Sequence, residues 1–139
     1  MADVMTKEQR RKNMRAIKSV SKLESLVSKE LWKKGYRFRR NSKNLKGKPD
    51  ISIKKHRVVI FIDSCFFHVC PTHGNMPKTN REFWKEKLDR NIERDREINH
   101  YYENRRWNLL RIWEHEVRDD LDQVITNISD FIEASKRND

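Results

Sequence analysis

The chain has 139 residues, of which 35% are hydrophobic and 38% charged, and it carries a formal net charge of +11. That length predicts one domain with a modest core. No apolar run approaches the roughly 18–20 residues that cross a bilayer, and Met1–Met5 has no signal-peptide core, so a cytosolic protein with reduced thiols is expected.

The charge is unevenly spread. Residues 1–60 hold 19 Lys/Arg against 5 Asp/Glu, whereas residues 61–139 hold 13 against 16. A basic N-terminal half beside a balanced remainder points to a polyanion, nucleic acid above all; the other reading is a lysine-rich solvated surface.

In chain order, Thr6 to about Ile17 is polar, with a weak apolar stripe, and reads either as a helix or as a mobile basic arm. Ser21-Lys22-Leu23-Glu24 has capping-box spacing and opens a helix, with Leu23, Leu26, Val27, Leu31 and Trp32 on one face, that stops at Gly35. Residues 1–20 are therefore set apart as a basic arm from a single domain over 21–139. Tyr36 to Arg40 alternates as a strand, and 41–49 is a loop. Two strands, 50–54 and 57–63, join at Lys55-His56 as a β-hairpin. After a loop to about Lys78, Thr79-Asn80-Arg81-Glu82 starts a long helix to about Arg105. A strand over Trp107–Trp113 and a helix from about Asp119 to Ala134 follow, with acidic residues favouring the helix N-terminus. The order predicts an α/β fold, a mixed sheet with helices on its flanks.

The only two cysteines lie in Cys65-Phe66-Phe67-His68-Val69-Cys70-Pro71-Thr72-His73, and His115 lies far downstream. Cys65, Cys70, His73 and His115 would complete a tetrahedral zinc site, leaving His68 spare as a positioned base. Asp50 and Asp63 lie at matching ends of the hairpin strands, where two carboxylates suit Mg²⁺ and a scissile phosphate, unless Asp50 merely ends its loop. Glu24 is either a helix cap or a catalytic carboxylate. Asp95 shares the apolar face of the long helix with Trp84, Leu88, Asn91 and Ile92. Its partner is either His68, whose tautomer it would fix, or an arginine, Arg94 or Arg111. Phe66, Phe67 and Trp84 either roof the zinc or form a wedge that unstacks a base step, easiest at a mispair.

These residues, in this order, resemble the very short patch repair (Vsr) DNA mismatch endonucleases. The resemblance runs through Lys12-Asn13-Met14-Arg15, Gly47-Lys48-Pro49-Asp50, Ile62 to His68, Cys70 to Gly74, Pro77 to Asn80, Phe83-Trp84, Asn91, Arg94-Asp95 and Trp107 to Glu116. It implies a restriction-endonuclease-like fold with structural zinc, and a Mg²⁺-dependent nick 5′ of the thymine in T:G mismatches left by deaminated 5-methylcytosine. It further implies Asp50 and the Ile62 backbone carbonyl as Mg²⁺ ligands, His68 as base with Asp95 behind it, and Glu24 in support. Cys65, Cys70, His73 and His115 become the zinc set, Phe66, Phe67 and Trp84 the intercalating wedge, and residues 1–20 a DNA-wrapping arm. A monomer in the bacterial cytosol or nucleoid is expected, in functional association with a cytosine-5 DNA methyltransferase. Two departures stand out. Asp63-Ser64-Cys65 lacks the lysine usual in the wider nuclease superfamily, and Phe67 and Val69 replace the family's common tryptophan and glycine. A restriction-like enzyme on undamaged DNA and a non-catalytic, zinc-stapled DNA-binding module are the competing readings.

Overall fold

A computed structural model describes residues 7–65 and 80–137; the first elements are α1 (Lys7–Lys33) and the strands β1 (Arg39–Arg40), β2 (Ile51–Ile53) and β3 (Val58–Asp63). They are followed by α2 (Arg81–Asn104), β4 (Asn108–Trp113), α3 (Glu114–Asp119) and α4 (Leu121–Arg137). The sheet order is β1-β2-β3-β4. Strands β1, β2 and β3 pair antiparallel, and β4 lies parallel to β3. Parallel neighbours need a long crossover, and α2 lies within it. The expected mixed sheet with flanking helices is therefore present.

Strand alternation divides β3 between two cores. Val58, Ile60 and Ile62, with Ile112 of β4, pack against Leu23, Val27 and Leu31 of α1 and the apolar face of α4. Val59 and Phe61 face the other way, onto Ile98 and Tyr102 of α2. All six residues of β3 are buried, as befits a central strand covered on both faces.

Three local expectations change. First, α1 is one helix of 27 residues, so Ser21 lies inside it and opens nothing. Its buried stripe is Leu23, Val27 and Leu31, at helical spacing, while Leu26 and Trp32 are about half exposed. Gly35, at φ +99°, closes α1 as expected: Gly35 N–H donates to Trp32 O and Tyr36 N–H to Leu31 O, a Schellman pattern. Second, β1 covers two residues only, because Arg37 turns back to donate to Trp32 O and to lie 3.8 Å over the Trp32 ring. Third, α3 intervenes before α4, which starts beyond Asp120, whose carboxylate caps it by accepting from Gln123 N–H at 3.1 Å. Among the described residues no helix is long and apolar enough to cross a membrane.

Candidate active site

The hairpin register pairs Ile51 with Ile60 and Ile53 with Val58. Continued by one residue, it puts Asp50 opposite Phe61, with Asp63 two residues further on. Asp50, Phe61, Asp63 and Arg111 therefore share the α2 face of the sheet. With Asn91, Arg94 and Asp95 of α2 they line a cleft of about 320 Å³. Asp50 and Asp63 are thus brought to one cavity without facing each other across the ladder.

The two aspartates are held differently. Asp50 is half-buried, and its Oδ2 accepts from Ile62 N–H at 2.6 Å. In an antiparallel strand a residue's N–H and C=O point toward the same neighbour, so the Ile62 carbonyl is turned toward the Asp50 side. A carboxylate oxygen and a carbonyl there are hard donors of the kind Mg²⁺ takes. Asp63 is buried and bound by Arg111 Nη1, at 2.9 Å to Oδ1 and 3.2 Å to Oδ2. Its charge is met by a guanidinium.

Arg111 is the hub that sequence reasoning treated only as a possible partner of Asp95. Its guanidinium lies over the Phe61 ring at 4.5 Å, and Nε donates to Asn99 Oδ1 at 2.8 Å. Nη2 stands 3.7 Å from Asp95 Oδ1. One cation therefore lies between a carboxylate from the sheet and one from α2. The signal was present: a lone arginine in Leu109-Leu110-Arg111-Ile112, on the same strand face as Asp63 of the parallel neighbour.

Beyond β3 the chain is held by Glu114, a second residue whose role was missed. Its Oε1 accepts from Cys65 N–H at 2.8 Å, and Oε2 pairs with Arg118 at 3.5 Å. This anchorage brings Cys65 Sγ to 3.3 Å from His115 Nδ1. Two ligands of a tetrahedral zinc ion stand about 3.6 Å apart, given bonds of about 2.3 Å to sulfur and 2.0–2.1 Å to nitrogen. These two members of the expected zinc set therefore fit the metal. Cys70 and His73 lie outside the described residues, as do His68, Phe66 and Phe67. Among the described residues no group of three or more His, Cys, Asp or Glu is arranged to hold a metal.

The remaining expected residues are dispersed. Glu24 is half-buried on α1 and does not line the cleft. Trp84, expected in the wedge, is 1% exposed and packs edge-on to Phe83, with centroids 5.2 Å apart. Intercalation by Trp84 requires it to leave that packing.

The family described as DNA mismatch endonuclease Vsr matches residues 2–73. The chain is 45% identical to the type II nicking enzyme V.NaeI of Lentzea aerocolonigenes, over 77% of this chain and 68% of that protein. It is 41% identical to the type II nicking enzyme V.NmeDIP of Neisseria meningitidis serogroup C, over 83% and 80%. With the DNA mismatch endonuclease Vsr of Escherichia coli K12 the identity is 38%, over 85% and 77%.

Proposed function

The chain belongs to the Vsr family of DNA mismatch endonucleases, and from that premise we propose that it nicks one strand, 5′ of the thymine in a T:G mismatch, in a Mg²⁺-dependent reaction. The observation that carries this reading is the half-buried Asp50 carboxylate, held by Ile62 N–H at the wall of the cleft. Asp50 and the Ile62 carbonyl would hold Mg²⁺, which when bound supplies positive charge against the phosphate and acidifies water.

The protein groups do the rest. Lys48 and Arg94 line the same cleft and balance phosphate charge. His68, three residues beyond Cys65, accepts the proton of the attacking water, and Asp95 orients its imidazole. Arg111 holds Asp95 from the sheet side, and Glu24 stands as a supporting carboxylate. Zinc on Cys65, Cys70, His73 and His115 would fix the segment that carries His68. Phe66 and Phe67 are the wedge, with Trp84 backing it. Residues 1–20 act as a DNA-wrapping arm, which enters the nuclease domain through the continuous helix α1. The enzyme is proposed to act as a cytoplasmic monomer, following a cytosine-5 DNA methyltransferase whose product deaminates to thymine.

Asp50→Asn tests the assignment. It removes a negative charge beside the phosphate, so binding to a mismatched duplex is expected to hold or tighten. Nicking in Mg²⁺ is expected to fall by at least about 10²-fold. Retained nicking would remove Asp50 from the mechanism, and lost binding would mean that Asp50 is structural.

A further inference from the structure

The active-site cleft continues across the sheet. It shares Gly47, Lys48, Arg94 and Ile98 with a second cleft under the 43–48 loop. That cleft shares Asn44 with a third, lined by Arg39, Arg40, Ser42 and Lys54. A fourth adds Arg37 and Lys55 at the β1–β2 edge. Lysine or arginine lines every one of these outer clefts, and among the described residues no aspartate or glutamate lines any of them.

These charges are available to a ligand. Arg39, Lys43, Lys48, Lys54 and Lys55 are exposed, and none makes an ion pair among the described residues. Arg39 pairs across the ladder with Ser52, which lies opposite Val59, so it projects on the same sheet face as Asp50. The floor beneath the charges is firm. Tyr102 donates its hydroxyl to Lys46 O at 2.5 Å, Ser42 and Ser52 share a 2.9 Å hydrogen bond, and Asn41 N–H donates to Asp50 O. Gly47, at φ +81°, is needed there, since a Cβ would meet Ile98 Cδ1 at 2.8 Å.

We infer that this track, from Lys48 through Lys43 to Arg39 and Lys54, binds the phosphates of duplex DNA flanking the nick on one side. Strands lie about 4.8 Å apart, so β1 stands about 10 Å from β3, or about three base steps at 3.4 Å each. The track would therefore hold backbone about three nucleotides from the cleavage site and set the reach of the footprint on that side. The inference rests on the nuclease reading for its substrate, but on its own charges for its test.

The test is fluorescence anisotropy of a labelled 24-base-pair duplex with a central T:G mismatch, in Ca²⁺, between 50 and 200 mM KCl. For Arg39→Ala/Lys54→Ala the slope of log affinity against log salt is expected to flatten by about 2, so affinity falls about tenfold less over that range than for the parent. Single-turnover nicking at saturating enzyme should be unchanged. Neutral methylphosphonates about three nucleotides to one side of the mismatch should weaken the parent and leave the variant unaffected. An unchanged slope in a variant with parental circular dichroism would overturn the inference. So would an equal flattening by Lys136→Ala/Arg137→Ala at the end of α4, which would mean bulk charge alone. A parent that binds with the expected slopes yet nicks nothing would sink the nuclease reading while leaving the track in place.

Discussion

At the scale of single residues, Arg111 joins the carboxylates of the sheet and of α2. Asp50 accepts from the Ile62 N–H, whereas Asp63 is bound by Arg111, and Asp95 lies at the edge of the same guanidinium. Removing that cation strands a buried carboxylate, which costs far more than the pair contributes. Arg111→Met should therefore destabilise the fold by about 3 kcal/mol. In denaturant unfolding this appears as a lower midpoint, and adding Asp63→Asn should recover much of the loss. A variant within about 0.5 kcal/mol of the parent would mean that the network contributes little. The place of Asp50 at the mouth of β2 was legible in sequence, because Pro-Asp opens a strand where an apolar residue is expected. The pairing of Asp63 was not, because it depends on Arg111 arriving from a strand about 50 residues downstream.

At the scale of elements, local signals served best where the chain decides locally. The Gly35 stop, the hairpin and the long helix followed from turn residues and periodicity. The Ser21 capping box misled, because its spacing carries no information on whether a helix already precedes it. Lys22→Pro separates the two arrangements. Proline is welcome in the first turn of a helix, but mid-helix it removes a hydrogen bond and clashes, at about 3 kcal/mol. Far-UV circular dichroism should show helix lost over the residues before 22; an unchanged signal would restore the start at Ser21. The 41–48 loop depends instead on α2. The Tyr102 hydroxyl donates to the Lys46 carbonyl, and burial, with the neighbouring Tyr101, raises its pKa from 10 to about 12. A raised pKa means the folded state favours the neutral phenol, so the contribution is full below pH 10 and is lost as pH rises from 10 to 12. Tyr102→Phe should cost about 1 kcal/mol at neutral pH and show a shallower stability loss than the parent between pH 10 and 12. Parallel pH profiles for the two proteins would contradict this account.

At the scale of the whole molecule, two cores lie on opposite faces of one sheet, with a polar seam where β3 ends, α2 crosses and the outer basic clefts begin. Membership of the mismatch endonuclease family gives the chain its substrate class, DNA, and the seam is the proposed site of action. The proposed chemistry follows from which groups face it. The most direct measurement is strand-resolved cleavage, in Mg²⁺, of a duplex with one T:G mismatch beside its T:A twin. A nick confined to the thymine strand, 5′ of the mispaired base and absent from the T:A duplex, is the predicted result. Equal cutting of both duplexes, or no cutting while the mismatched duplex remains bound, would contradict it.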